Sequence, residues 1–380
     1  MSSRDFQRSM PEAHSHLVRA PGWWSYTHLD GWLLLLILML CSFGLFILYS
    51  ASGQDMGYVV KQAVRMGAGF FVMVVLAQFT PRFIGRWSIA FYILGVALLI
   101  AVLLVGVGAK GAQRWIALPG FRFQPSEIMK LVIPMMVAFY LASRPLPPSF
   151  KRIFVALAII FVPTVMIMKQ PDLGTSLLIA ASGIFVLLFS GIRWLYVFSA
   201  LGAALAALPA LWMVMKDYQK QRVLTFLDPE SDPLGSGWNI IQSKTAIGSG
   251  GVSGKGWLQG TQSQLDFLPE SHTDFIIAVI AEELGFFGVA ALLCLYLLII
   301  ARGLVIAVQA QDTFGKLVAG SVTLTFFVYV FVNIGMVSGL LPVVGVPLPL
   351  VSYGGTSIVT LMAGFGILMS VHTHRQMLLR

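Results

Sequence analysis

A short polar run, LPESHTDF at residues 268–275, stands directly before a long apolar segment. Within it, Asp274 has apolar residues following and no adjacent base, which suits a general base because partial desolvation favours proton uptake by a carboxylate. The run also suits a plain structural role, in which a hydroxyl residue caps the next helix and His272 is a satisfied interfacial residue. Glu282 and Glu283, about two turns further on, are predicted to serve packing or to anchor a loop.

A second set of charges surrounds the sequence RFQPSEIMK at residues 122–130. Its Pro-Ser pair predicts a helix start, with Glu127 in the first turn, where the helix dipole favours a carboxylate. Lys130 lies on the same face, so the two side chains can pair, and that pair could serve only to make the span insertable. Arg114 and Arg122 accumulate at the same edge, and their forked donors match pyrophosphate oxygens, which favours a binding role.

Two further motifs leave structural and functional readings open. In KQPDLGTS, residues 169–176, Asp172 follows a proline and either caps the next helix or takes part in the chemistry. In the hydrophilic connection of about residues 216–272, Lys244 and other basic residues accompany glycine-rich turns at 248–256. Glycines beside lysines can form anion-binding nests, although this signal alone is weak.

The composition places these motifs in a membrane protein. Hydrophobic residues make up 57% of the chain and charged residues 11%, whereas soluble domains carry roughly a quarter charged residues. Apolar runs of roughly 20 residues, the length that crosses a bilayer, recur along the chain. Ten apolar segments are predicted, at about 31–50, 58–78, 87–107, 125–142, 152–168, 174–190, 193–215, 273–300, 317–340 and 354–372. The fifth and sixth meet at the KQPDLG turn and could form one broken pair.

The fold class is therefore predicted to be an all-α polytopic membrane protein with about ten transmembrane helices. A large extracytoplasmic loop, about 216–272, separates the seventh helix from the eighth. The segment 340–357 is rich in Pro and Gly and is predicted to be non-helical. Because irregular backbone in a membrane must be buried in protein or line a wet cavity, we expect this segment to wall the same external cavity.

The distribution of charge predicts the orientation. Lys and Arg concentrate in both tails and in alternate short connections, so the positive-inside rule predicts cytoplasmic termini and a multi-pass protein of the cytoplasmic (inner) membrane. The expected organisation is a cytoplasmic tail over 1–30, a single transmembrane domain over 31–372 and a cytoplasmic tail over 373–380. The external motifs then act on the extracytoplasmic side.

Several alternative classes are disfavoured. The net charge of +9 comes mainly from short loops, so membrane lipid rather than nucleic acid is the expected partner. Cys41 and Cys294 both fall in apolar runs, which predicts neither a disulfide nor a metal-thiolate site. No metal site is predicted, and the cofactor is left unknown, with a divalent cation as one candidate.

Taken in order, these segments resemble the SEDS family (shape, elongation, division and sporulation), from about residue 30 onwards. The strongest stretch is GSGWNIIQSKTAIGSGGVSGKGWLQGTQSQLDFLPESHTDF, supported by QPSE, QPDLGT and PLPLVSYGGTS. The sequence SGKGWLQGTQSQLDFLPE is similar to that of the elongation branch of the family rather than to that of the division-specific branch.

The resemblance implies a peptidoglycan glycosyltransferase that uses lipid II and carries the growing glycan on undecaprenyl pyrophosphate. The family's essential aspartate falls on Asp274, and the arginine, glutamate and lysine of its RFQPSEIMK motif fall on Arg122, Glu127 and Lys130. Arg114, Asp172, Lys244 and His272 are taken as supporting or pyrophosphate-binding residues. The resemblance also implies a class B penicillin-binding protein as the cross-linking partner.

Two rival functions remain at this stage. A lipid II flippase would also have many spans and intramembrane charges, but it should expose a charged cavity to both sides of the membrane. A scaffold of a cell-shape complex would leave Asp274 replaceable. Polar motifs concentrated on one side favour an enzyme over both.

Overall fold

The computed structural model describes residues 27–109, 112–118, 121–215, 217–228, 236–264 and 271–374. Most of residues 1–30, parts of the connection at 216–272 and residues 375–380 of the C-terminal tail lie outside these ranges. The elements in chain order are α1 (Gly31–Ala51), α2 (Met56–Gln78), α3 (Pro81–Val105), β1 (Val107–Ala109), β2 (Ala112–Leu118), β3 (Phe121–Phe123), α4 (Pro125–Ala142), α5 (Phe150–Lys169), α6 (Leu173–Phe189), α7 (Trp194–Val214), α8 (Asp217–Leu227), α9 (Ser236–Gly250), α10 (Thr261–Gln264), α11 (Ile276–Gln309), α12 (Thr313–Val337) and α13 (Thr356–Thr373).

Each of the ten predicted apolar segments corresponds to a helix, which confirms the polytopic helical fold. In the described part of the chain, eight helices are long and apolar enough to cross a membrane, while 173–189 and 194–210 are apolar but shorter. The connection between the seventh and eighth of these ten helices contains α8, α9 and α10, so it has secondary structure of its own. A small antiparallel sheet, in the order β1-β2-β3, was not predicted and joins α3 to α4.

Polar residues before the helices set where several of them begin. The side chains of Asp30, Asp55 and Thr80 cap α1, α2 and α3 by accepting hydrogen bonds from the first-turn N–H groups. These bonds matter because the first N–H groups of a helix have no partner within it. With Thr80 as the cap and Pro81 in the first turn, α3 begins earlier than its apolar run, and Arg82 and Arg86 become part of the helix.

Two apolar cores hold the bundle together, and α12 contributes to both. One core joins α1, α2, α11, α12 and α13, with Phe326 and Val330 of α12 buried in it. The other joins α3, α4, α5 and α6, with Leu317 and Val318 of α12 buried in it. The helix α12 therefore lies between the two cores and packs against both.

The glycine-rich turn after α9 docks onto a break in α11. At Gly285 the backbone leaves the helical conformation, with φ 63° and ψ −157°. The turn hydrogen-bonds to both sides of this break: Lys255 N–H donates to Glu282 O at 3.0 Å, and Phe286 N–H donates to Gly251 O at 3.0 Å. A Cβ atom at Gly254 would lie 2.1 Å from Glu283 O, so the glycine allows the two backbones to touch.

A polar cluster ties the ends of α1, α11 and α13 together at the end of the bundle that carries the described termini. Arg302 donates to both carboxylate oxygens of Asp30, and His372 Nε2 lies 3.2 Å from Asp30 Oδ2. Nearby, the rings of His28 and His374 stack with their centroids 4.2 Å apart. Although burial opposes ionisation, the hydrogen bonds from Arg302 and from Leu33 N–H lower the pKa of Asp30. The pKa of His28 is lowered by burial and by the charge of His374.

We expect Gly285→Ala to destabilise the protein by about 3 kcal/mol, because the backbone there is one that only glycine adopts readily and a Cβ atom would lie 2.3 Å from Gly254 N. Thermal unfolding in detergent measures the effect. Gly248→Ala in α9, where a Cβ atom meets nothing within 4 Å, is the matched control and should be neutral or slightly stabilising. Equal melting temperatures for the two variants would contradict this account of the kink.

The lowered pKa of His28 makes stability depend on pH. The folded state resists protonation of this ring, so the unfolded state binds more protons below the ordinary pKa of 6.5, and stability falls as pH drops through that value. His28→Phe keeps a ring to stack on His374 but removes the proton site. Melting temperatures between about pH 7.5 and pH 5.5 should fall further for the wild type than for the variant. Parallel curves would show that His28 does not contribute.

Candidate active site

The candidate site is built around the non-helical segment 338–355, which lies between α12 and α13. The sequence predicted that this stretch is non-helical, and the structure confirms it. Two glycines within it, Gly339 and Gly345, have φ of 72°. Val344 and Val346 face the first turn of α6, where a Cβ atom at Gly174 would lie 2.9 Å from Val344 O. Most of the stretch 346–352 is buried inside the bundle, and the segment borders several of the predicted residues.

Asp274 lies in the turn that leads into α11, against this segment. A Cβ atom at Gly345 would lie 3.5 Å from Asp274 Oδ2, an ordinary contact distance, so the carboxylate lies directly beside this glycine. Asn333 of α12 holds both pieces of backbone, because its side-chain amide donates to Asp274 O at 2.9 Å and to Val346 O at 2.7 Å. The position of Asp274 is therefore set by a fully buried amide from a different helix.

An aromatic group surrounds His272, two residues before Asp274. The ring of His272 lies 5.1 Å from that of Tyr58 and 5.9 Å from that of Tyr353, and Tyr353 N–H donates to His272 O at 2.8 Å. The guanidinium of Arg65 lies 4.6 Å from the centre of the Tyr353 ring and donates to Gly354 O at 3.1 Å. Two tyrosine rings therefore lie beside His272, and a cation lies over one of them.

Glu127 and Lys130 form a buried ion pair in the first turns of α4. Lys130 Nζ donates to Glu127 Oε1 at 2.7 Å, and both residues are less than a tenth exposed. Lys130 Nζ also lies 5.1 Å from the ring centre of Tyr329. A cavity of about 30 Å³, room for about two waters, borders both charges, and Glu127 Oε2 has no hydrogen-bond partner among the described residues.

Asp172 is tied to the segment before α4 and to the strand that carries Arg114. Its carboxylate caps α6 by accepting from Thr175 N–H at 3.3 Å, and it accepts from the Gln124 amide at 3.1 Å. Arg114 lies 3.8 Å from the same carboxylate and donates to the carbonyls of Gln170 and Pro171. The cap predicted for Asp172 is therefore present, and the guanidinium of Arg114 is largely occupied by this turn.

The remaining predicted residues occupy different surroundings. The ammonium end of Lys244 lies against Gly339, where a Cβ atom would be 2.2 Å from Lys244 Cε, so this lysine packs on the start of segment 338–355. Arg122 lies in β3, and its side chain falls outside the described part of the chain. Glu282 accepts from Lys255, Thr261 and Gln262 and Glu283 accepts from Ser50, so these two carboxylates anchor the loop and helix α1.

Two groups of residues bordering the site were not singled out from sequence. The first comprises Gln62 and Asn333, uncharged amides inside spans, whose cost in an apolar segment is a usable signal. The second is the set Tyr58, Arg65 and Tyr329, in which the tyrosines look ordinary for a membrane protein, whereas Arg65 is a charge inside α2 and gives the same kind of signal as the amides. Only the arrangement of the helices brings these residues beside His272 and Lys130.

We expect either single change, Glu127→Gln or Lys130→Met, to destabilise the protein by about 3 kcal/mol, because each leaves one buried charge without its partner. The double variant should lose less than the sum of the two, which a double-mutant cycle on thermal unfolding in detergent measures directly. Lys151→Met, at an exposed position of α5, controls for the loss of one lysine and should change stability little. Additive losses in the double variant would show that the pair is not coupled.

Comparison with known proteins agrees with this architecture. The family model described as "Cell cycle protein", which covers FtsW, RodA and SpoVE proteins, matches residues 31–377. The chain is 56% identical over 356 residues to the peptidoglycan glycosyltransferase MrdB of Escherichia coli (strain K12), covering 93% of this chain and 96% of that one.

Solved structures give the same result. A chain of a peptidoglycan synthase complex that coordinates polymerisation and crosslinking superposes with a TM-score of 0.81 and 31% identity, over 90% of this chain and 97% of that one. The rod shape determining protein RodA of Thermus thermophilus superposes with a TM-score of 0.70 and 27% identity, over 92% and 98%. With its family model matched over nearly the whole bundle, this chain belongs to the FtsW, RodA and SpoVE family, the SEDS family.

Proposed function

We propose that this protein is a peptidoglycan glycosyltransferase that polymerises lipid II into β-1,4 glycan strands during cell elongation and rod-shape maintenance. The observation that carries the proposal is the placement of Asp274: its backbone is held by buried Asn333, and its carboxylate lies beside Gly345 of segment 338–355. The similarity to MrdB and to a rod shape determining protein supports the activity and the elongation role.

In the proposed reaction, Asp274 removes the proton from the 4-hydroxyl of the acceptor N-acetylglucosamine. The hydroxyl oxygen attacks the anomeric carbon of the donor N-acetylmuramic acid, and the bond from that carbon to the pyrophosphate oxygen breaks. The proton resides on Asp274 and the electron pair leaves with the lipid pyrophosphate. A single displacement inverts the anomeric carbon, so an α-linked donor yields a β-1,4 bond.

The leaving pyrophosphate needs cationic donors, and the geometry ranks the candidates. Arg114 donates to the carbonyls of Gln170 and Pro171 and lies beside the carboxylate of Asp172, which supports a role in holding the turn before α6. Arg65, half-buried beside Tyr353, and Lys130, facing the small cavity, are better placed to stabilise developing charge. Lys244 and Arg122 remain candidates of the same kind.

A divalent cation is a further candidate for neutralising that charge. Within the described residues, no group of three or more His, Cys, Asp or Glu side chains could hold a metal ion, and Asp266 and Glu270 lie outside them. We therefore assign no step of the reaction to a cation.

The lipid tail of the substrate requires an apolar path beside the reacting groups. A groove of about 560 Å³ is lined mainly by side chains of α2, α3, α4 and α13, and among the described lining residues Thr360 is the only polar one. Leu131 and Thr360 border both this groove and the small cavity at Lys130. The part of the groove nearest Lys130 therefore offers a place for a polyprenyl chain next to the Glu127–Lys130 pair.

This apolar groove also bears on the flippase alternative. A transporter of a charged head group needs polar groups along its route, whereas the residues that line this groove between the level of Lys130 and that of Arg82 are apolar apart from Thr360. The groove as seen offers no such route, which favours polymerisation.

Orientation and partners complete the proposal. Basic connections at the end carrying the termini support cytoplasmic termini and an extracytoplasmic active site in the inner membrane. The similarity to a chain of a complex that coordinates polymerisation and crosslinking supports a class B penicillin-binding protein as partner.

We expect purified protein with its transpeptidase partner to convert lipid II into glycan chains, and Asp274→Asn to abolish this, because the amide cannot take up the proton. Polymer resolved by gel electrophoresis is the measurement, at equal concentrations of folded protein. Asp217→Asn, an exposed aspartate in α8, is the matched control and should polymerise as the wild type does. Polymer from Asp274→Asn would refute the general base. Lipid II crossing of vesicle membranes without polymer would favour the flippase.

A further inference from the structure

A second charged cavity lies at the opposite end of the bundle from Asp274. It has a volume of about 640 Å³ and opens between the start of α3, the turn that joins α11 to α12, and the end of α13. Its lining includes Arg82, Arg86, Phe83, Asp312, Val371 and His374. None of the residues proposed for polymerisation borders it, so this cavity requires its own explanation.

Arg82 and Arg86 give the cavity its charge. They lie one turn apart on α3, so both guanidinium groups project from the same face. Among the described residues, neither has a hydrogen bond or an ion pair, although Asp312 lines the same cavity. Two other arginines at this end of the bundle do have partners, since Arg302 is bound to Asp30 and Arg152 donates to backbone carbonyls. Two unmatched guanidinium groups against one carboxylate leave the cavity cationic.

An aromatic ladder continues from the cavity toward the middle of the bundle. The ring of Phe79, just before α3, is followed by those of Phe83, Trp87 and Phe91 along the outer face of α3, with successive centroids 5.0, 6.1 and 6.3 Å apart. Each of these four side chains is about two-fifths to one-half exposed, which places them on the surface that a bilayer would cover. Phe83 borders both the cavity and the apolar groove, so the two are continuous.

We propose that this cavity binds an anionic phospholipid. Its phosphate pairs with Arg82 and Arg86, and its acyl chain lies along the rings of the ladder that are nearest the cavity. Guanidinium groups donate to phosphate oxygens in a forked geometry that an ammonium cannot reproduce, and basic pockets between spanning helices recognise anionic head groups. The apolar ladder distinguishes a lipid from a free phosphate, which would gain nothing from it. With the termini cytoplasmic, the lipid belongs to the cytoplasmic leaflet.

The test is native mass spectrometry of the full chain in detergent, titrated with phosphatidylglycerol or with phosphatidylcholine. We expect the wild type to retain phosphatidylglycerol preferentially and Arg82→Gln/Arg86→Gln to bind it about thirtyfold more weakly, because each basic group near an anionic surface contributes about fivefold. Arg144→Gln/Lys151→Gln removes two exposed charges at the same end, outside the cavity, and should bind as the wild type does. Equal binding by the two double variants would overturn the proposal.

Two further variants and one competitor sharpen the result. Asp312→Asn removes the opposing charge and should strengthen phosphatidylglycerol binding severalfold, which keeps the test decisive if the arginine double variant does not fold. Phe83→Ala should weaken phosphatidylglycerol binding, because it removes an aromatic ring that the acyl chain covers. Glycerol phosphate should not displace the bound lipid at comparable concentration. Displacement by it, or no change with Asp312→Asn, would contradict a lipid held by both its phosphate and its chain.

Discussion

The architecture of the candidate site depends on one constraint: segment 338–355 forms no regular helix, although most of its stretch 346–352 is buried in an apolar bundle. In such surroundings every backbone N–H and C=O group that lacks a partner costs several kcal/mol. Side chains from distant helices supply the partners. Tyr296 Oη donates to Pro349 O at 2.7 Å, Gln62 Nε2 donates to Ser352 O at 2.9 Å, and Asn333 donates to Val346 O. The irregular backbone thereby becomes a rigid wall.

The same partners position the chemistry. Asn333 holds the turn of Asp274 with the amide that holds Val346, so the carboxylate and the wall have one common support. Val346 in turn packs on Tyr329, whose ring lies beside Lys130. At the other edge, Tyr353 contacts His272 and Arg65. A carboxylate, two cations and several rings from five parts of the chain thus gather around one stretch of non-helical backbone.

Helix α11 both anchors the glycine-rich turn after α9 and begins directly after Asp274. Its first turns follow Asp274 directly, and the break at Gly285 accepts the glycine-rich turn through backbone hydrogen bonds. Buried Glu282 fastens the same turn through Lys255 and two backbone N–H groups. Lys255 and the glycines at 248–256, where the sequence suggested an anion-binding nest, are therefore engaged in docking the loop.

What could be predicted in advance rested on local physics. Spans follow from apolar runs of bilayer length, Asp172 as a cap follows from its place before α6, and Pro and Gly content alone predicts an irregular stretch at 340–357. The pairing of Glu127 with Lys130 follows from helical spacing. The partners of Asn333, Gln62, Tyr58 and Arg65 could not be predicted, because those partners lie far away in sequence, as with Gln62 and Ser352. Likewise, Arg114 appears in sequence as a free cation, and only the folding of its strand over the turn before α6 commits it to Asp172. Side chains near in sequence meet by helix geometry, whereas those on different spans meet only when burial of apolar faces sets how the helices pack.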